Sequence, residues 1–278
     1  MSLTVFAAVL LGAALHATWN AVVKGGADKL LSTVLVAAAS GLIALPFLAA
    51  LPLPAPAAWP FIATSAVVQV LYFALVAGAY KATDMSQAYP LMRGLAPALV
   101  ASFGVLFLGE HLSPAAWAGI ALISGGVFGM ALAWRGRASR KGTLIAVGNA
   151  AVIASYTLID GAGVRLSGAP VAYAMWLFLL NALPLVAWAL LARRRTLLAA
   201  LRRDWRLGLV GGAGNLGSYG LALWAMTHAP VAMVAALRET SILFGMAIAG
   251  LVLGERIGPV RLACAALILA GAASLRLA

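Results

Sequence analysis

Apolar residues run along this chain in blocks of about twenty, the length a helix needs to cross a bilayer. Short clusters of proline, glycine and charge separate the blocks. Ten are found, at 3–23, 30–51, 60–80, 86–108, 114–134, 142–160, 170–192, 207–227, 230–253 and 257–277. Each predicts a membrane-spanning helix. Pro114, Pro170, Pro230 and Pro259 fall near the first turn of the block that follows, where a missing N–H is least felt. Trp59, Trp134 and Trp205 fall near block ends, where indole rings favour the membrane interface. The first block has no cationic stretch before Leu3 and contains His16, Trp19 and Asn20, so it reads as a span and not as a cleaved leader.

Composition agrees. Of 278 residues, 64% are hydrophobic and 9% charged, with a mean hydropathy of +1.03. A water-soluble domain carries roughly 25% charged residues, so the fold class is an all-α integral membrane protein of ten transmembrane helices. The net charge of +12 would suggest nucleic acid in a soluble domain. Here the cations mark loops, and no nucleic-acid partner is expected. Of 19 lysines and arginines, 15 lie in the odd-numbered gaps; Arg165 and Arg276 lie on the opposite side, and Arg93 and Arg238 lie inside spans. By the positive-inside rule, this places both termini outside the cytoplasm of an inner (plasma) membrane protein.

The chain repeats itself. Residues 108–114, L-G-E-H-L-S-P, return at 253–259 as L-G-E-R-I-G-P, and the same offset carries Arg93 onto Arg238 and Gly126 onto Gly271. This suggests two five-helix units, 1–134 and 142–278, joined by a basic linker at 135–141. Consecutive bundles with an odd number of helices have opposite orientations, so the units form an inverted repeat, an architecture suited to alternating access.

Ten spans, the five-plus-five repeat and the paired L-G-E-x-x-x-P turns resemble the drug/metabolite transporter superfamily, in its EamA group. The resemblance covers essentially the whole chain. It implies a metabolite carrier, often an exporter, with a cavity lined mainly by helices one, three, four, six, eight and nine. The family is usually drawn with cytoplasmic termini, opposite to the cation count.

Ionisable groups inside spans are functional candidates by default. Arg93 and Arg238 suit an anionic or zwitterionic solute, since guanidinium offers a fixed fork of donors; the alternative is snorkelling or pairing with a helix carbonyl. Depths of roughly 10–12 Å from opposite faces suggest successive stations or gates, not one clamp. Glu239 is either a charge-balancing partner of an arginine or a proton carrier, and Asp160, at a block end, either balances charge or is solvated. His16, Trp19 and Asn20 share one helix face, as do Gln69 with Tyr72 and Asn215 with Tyr219; Tyr89 lies four residues before Arg93. These read as cavity wall or as interhelical hydrogen bonding. Pro90 and Pro97 are expected to bend the fourth helix around Arg93. Glu110 and Glu255 are expected to cap the helix that follows each turn.

No nucleotide-binding loop, hydrolase motif or Cys/His cluster is present, so no enzyme activity, cofactor or metal is expected. The spacing of Gly125 and Gly129 allows helix contact within or between chains, leaving monomer and homodimer open. The reading is a secondary or facilitative transporter of a small polar metabolite, an amino acid or other carboxylate-bearing solute, with export favoured and proton coupling possible. Uptake is the alternative within transport. A lipid-handling subunit or membrane scaffold is the alternative outside it.

Overall fold

The computed structural model describes residues 1–83, 85–132, 139–251 and 257–278. Trp134, Arg135, Arg137, Glu255 and Arg256, and most of the basic linker, lie outside the described residues.

The elements are α1 (Leu3–Gly25), α2 (Lys29–Ala50), a single 3-10 turn at Pro56–Ala58, α3 (Trp59–Ala82), α4 (Met85–Leu108) and α5 (Pro114–Leu132). They are followed by α6 (Arg140–Ser167), α7 (Pro170–Ala192), α8 (Arg194–Met226), α9 (Val231–Arg238), α10 (Ser241–Leu251) and α11 (Pro259–Leu277). Local chemistry sets the ends. Ser2 Oγ accepts from Val5 N, Asp28 Oδ1 from Leu30 N and Leu31 N, and Ser139 Oγ from Gly142 N, each satisfying donors that a helix start leaves free. α6 stops at Gly168, whose φ of 62° is reached without strain by a residue lacking Cβ.

Among the described residues, nine stretches are long and apolar enough to span a membrane, with α9 and α10 together forming one of them. α8 is the tenth pass. Its first turns are rich in arginine, and the stretch 207–226 is diluted by six glycines and Asn215, so its hydropathy falls below that of the neighbouring spans. Two other boundaries differ from expectation. The sixth span does not end at Asp160 but runs on to Ser167, because Asp160 is sheltered by partners from neighbouring helices. The ninth span is interrupted at Glu239–Thr240, where the N–H groups of Glu239, Thr240 and Ile242 donate to carbonyls three residues back, tightening the α-helix into a turn.

The protein is a pair of inverted five-helix repeats, and the packing shows the symmetry. α1 packs on α8 as α6 packs on α3; α2 meets α7 and α5 meets α11, each pair linking equivalent helices. The α5–α11 seam is the closest: a Cβ at Gly126 would lie 2.8 Å from Cys264 O, and one at Gly271 would lie 2.7 Å from Gly119 O. Gly125 has nothing within 4 Å of its Cβ position. Of the predicted Gly125–Gly129 pair only Gly129 enters this seam, its Cβ position lying 2.9 Å from Cys264 Sγ, alongside Gly119, Gly126 and Gly271.

Candidate functional site

A central cavity of about 770 Å³, its mouth included, lies between the repeats. Its wall comes from α1, α3, α4, α6, α8 and α9 and also from α2 and α7. At one end it reaches Thr33, about one turn from the start of α2. At the other end the wall stops at Tyr219 and Arg238, about two turns short of the far ends of α8 and α9.

Arg93 and Arg238 both line this cavity. Both are buried, at 6% and 8% exposure.

Their surroundings differ. Arg93 Nε donates to Glu239 Oε2 over 2.9 Å, in a pair buried on both sides. Its Nη2 is buried without a hydrogen-bond partner. Pro97 lies four residues on and has no N–H to offer the Arg93 carbonyl, so the helix is locally unpaired beside this group. Among the described residues no carboxylate is within ion-pair distance of Arg238. Its guanidinium instead lies 4.7 Å from the centre of the Tyr219 ring, a cation–π arrangement.

Asp160 anchors that ring. It is fully buried; its Oδ2 accepts from Tyr219 Oη over 2.6 Å and from Gln69 Nε2 over 3.3 Å, and its Oδ1 accepts from Tyr173 Oη over 2.9 Å. The solvated reading of Asp160 is thus wrong. The charge breaks the apolar run in sequence, but three donors from α3, α7 and α8 satisfy it in space. Gln69 extends the network, accepting at Oε1 from Asn181 Nδ2 over 2.7 Å.

Aromatic rings form most of the remaining wall. Tyr72 meets Tyr156 at 5.8 Å between centroids, Tyr156 meets Tyr219 at 6.3 Å, and His16 meets Trp19 edge-on at 5.1 Å. Trp19 Nε1, Asn181 Oδ1 and Ser218 Oγ lie on the same wall, buried and without partners. Asn215 also contributes, with Nδ2 donating to Ser40 Oγ over 3.2 Å. Of the residues singled out from sequence, His16, Trp19, Gln69, Tyr72, Arg93, Asn215, Tyr219 and Arg238 therefore converge.

Asn20 and Tyr89 do not. They line a neighbouring cleft between α1 and α10, which shares only His16 with the central cavity. Asn20 turns back on its own helix, donating to His16 O over 2.8 Å. Tyr156, Asn181 and Ser218 also line the wall, beside apolar residues such as Val36, Phe73 and Phe178. Tyr156 lies four residues before Asp160, and Ser218 lies three after Asn215 on the face shared with Tyr219, whereas Asn181 has no polar neighbour at helical spacing.

On the side away from Thr33, Glu110 closes the structure. Its Oε1 accepts from Val231 N over 2.6 Å and from Arg165 Nη2 over 2.8 Å, and its Oε2 accepts from Ala232 N over 3.3 Å. It caps α9 of the second repeat, not the following α5, whose start is capped by Ser113. The L-G-E turn bends the carboxylate back across the repeat boundary through Gly109, whose φ is 63°. Glu255 lies outside the described residues.

A ten-pass inverted repeat around a central polar cavity defines a membrane carrier. The EamA-like transporter family matches residues 3–132 and 140–277, nearly the whole chain, and this protein belongs to that family. A search of curated proteins gave no match. Among solved structures, one described as "Crystal structure of protein" is similar with a TM-score of 0.76 over 98% of both chains, at 19% identity. That likeness concerns the fold. The chain is therefore a multi-pass membrane transporter of the drug/metabolite type.

Proposed function

We propose that the protein moves a small carboxylate-bearing solute, an amino acid or a related anion, by alternating access of the central cavity. The observation that carries this reading is the pair of buried arginines on one wall. Arg93 is neutralised by Glu239 yet keeps a free Nη2, while Arg238 has only an aromatic face beneath it. A buried cation without a counter-charge is costly, and an incoming carboxylate supplies what is missing. Trp19, Asn181 and Ser218 offer further hydrogen bonds around it, and the aromatic rings suit an apolar body. His16 and Asn215 shape the wall, Asp160 and Gln69 hold it, and Glu239 balances charge instead of serving as a free proton carrier.

Export is the direction this reading adopts. The cavity extends toward the end marked by Lys24 and Lys29, and the opposite end is closed by Glu110. With the cation-rich loops taken as cytoplasmic, both termini lie outside and this is the inward-facing state, the one from which an exporter loads its solute.

A ligand-stabilisation screen of carboxylates, zwitterions and amines on the purified protein tests this. Carboxylates are expected to raise the melting temperature of the native protein and to lose at least about tenfold in affinity in Arg238→Gln, a change of about 1.4 kcal/mol or more. Stabilisation by amines alone, unchanged in Arg238→Gln, would overturn the reading.

A further inference from the structure

The arginine-rich face carries a feature that the central cavity does not use. α8 starts one residue after α7 ends, and that residue, Arg193, donates from Nη1 to Asp28 Oδ2 over 2.8 Å beside the start of α2. Further along, Gly208 packs against Leu35. At 1.5 Å per residue, the helical path from 193 to 208 is about 22 Å, against about 10 Å from 28 to 35. The opening turns of α8 therefore run obliquely across the membrane face and do not descend alongside α2.

This stretch is amphipathic. Leu197 and Ala200 pin it to Leu31, Val34, Leu35 and Ala189. Next to them Leu198, Leu201 and Trp205 are exposed, and the last two overhang an apolar groove of about 1120 Å³, mouth included, between α2, α7 and α8. Leu42, Leu45 and Leu183 line its deeper part. Arg194, Arg195, Arg202 and Arg206 are exposed on the stretch, and none has a carboxylate within ion-pair distance among the described residues. Arg206 sits 5.3 Å over the Trp205 ring, at the lip of the groove. An apolar slot under an unpaired cationic rim has the complement of an anionic phospholipid, with its acyl chain below and its phosphate above.

We propose that the groove between α2, α7 and α8 is a binding site for an anionic phospholipid of the arginine-rich leaflet, its headgroup held by Arg202 and Arg206. Zwitterionic lipid of the same chain length fills the slot equally well but gains little from the rim.

Native mass spectrometry and thermal unfolding of the purified chain, with phosphatidylglycerol or phosphatidylcholine of equal chain length, test the assignment. One cation near a lipid surface contributes about fivefold in affinity. Phosphatidylglycerol is therefore expected to bind at least about tenfold more tightly than phosphatidylcholine, and Arg202→Gln with Arg206→Gln is expected to abolish the difference. Ala38→Trp, which fills the groove without changing charge, should weaken both lipids. Equal binding of the two lipids by the native chain overturns the proposal. So does an equal effect from glycerol 3-phosphate, which would reveal an anion site without a lipid slot. Dimers that disappear in Ala38→Trp would assign the groove to a second copy and also overturn it.

Discussion

Arg93 shows how one side chain serves both the fold and the cavity. Its Nε is committed to Glu239 and its Nη2 is left free. Removing the arginine leaves a buried carboxylate without a counter-charge, a change that costs about 3–5 kcal/mol in comparable pairs. Arg93→Gln is expected to destabilise the protein by about that much. Arg93→Gln combined with Glu239→Gln should recover most of the loss, because two neutral amides can bond to each other. Thermal unfolding of the single and double variants checks this; a double variant as unstable as the single one would show that the pairing is not the source of the loss. The sequence revealed Arg93, Arg238 and Glu239 as expensive residues within apolar blocks, but not which would pair. Arg93 and Glu239 are 146 positions apart, and spacing carries no information about contacts between repeats. Asp160 was misread for a related reason: its donors, Tyr173, Tyr219 and Gln69, come from three other helices.

At the scale of elements, periodicity and proline placement located all ten passes, while interruptions of helices were harder to see. Nothing in the run 230–253 marks the break after Arg238, since Glu239 and Thr240 are both compatible with a helix. The Glu110 contact belongs to this scale, because one carboxylate ties the α4–α5 turn to the start of α9 and to Arg165 on α6. Glu110→Ala removes a charge-assisted acceptor from buried N–H groups, each such bond being worth about 1.5–3 kcal/mol. Spin labels at the exposed positions His111 and His228, in a Cys264→Ser background, should report a longer and broader distance distribution in Glu110→Ala than in the parent. An unchanged distribution would mean that Glu110 does not hold this end closed. The α5–α11 seam gives a paired expectation. Gly126→Ala forces a methyl against Cys264 O and should cost about 1–3 kcal/mol through overpacking. Gly125→Ala meets open space and should be neutral, or stabilising by up to about 1 kcal/mol through helix propensity. Equal melting temperatures for these two variants would contradict the seam.

Across the whole molecule, the inverted repeat was legible from two short motifs and a parity argument, and it orders the packing of every pass. With ten passes, both termini lie on one face and the arginine-rich loops on the other. Reporters active only in the cytoplasm are expected to be silent when fused after Ala278 and active when fused after Leu198. The opposite pattern would invert the assignment of the cavity's open end.

The separation between Arg93 and Glu239 also has a consequence for biosynthesis. Ribosomes add roughly 5–20 residues per second, so α4 leaves the ribosome about 7–30 s before the carboxylate that neutralises it. For that interval the translocon holds a segment with an unpaired guanidinium and two internal prolines, and such a charge at a helix centre costs about 2.5–3.5 kcal/mol to insert. α4 is apolar enough to span a membrane by itself, but its guanidinium is neutralised only when the nascent second repeat arrives with Glu239.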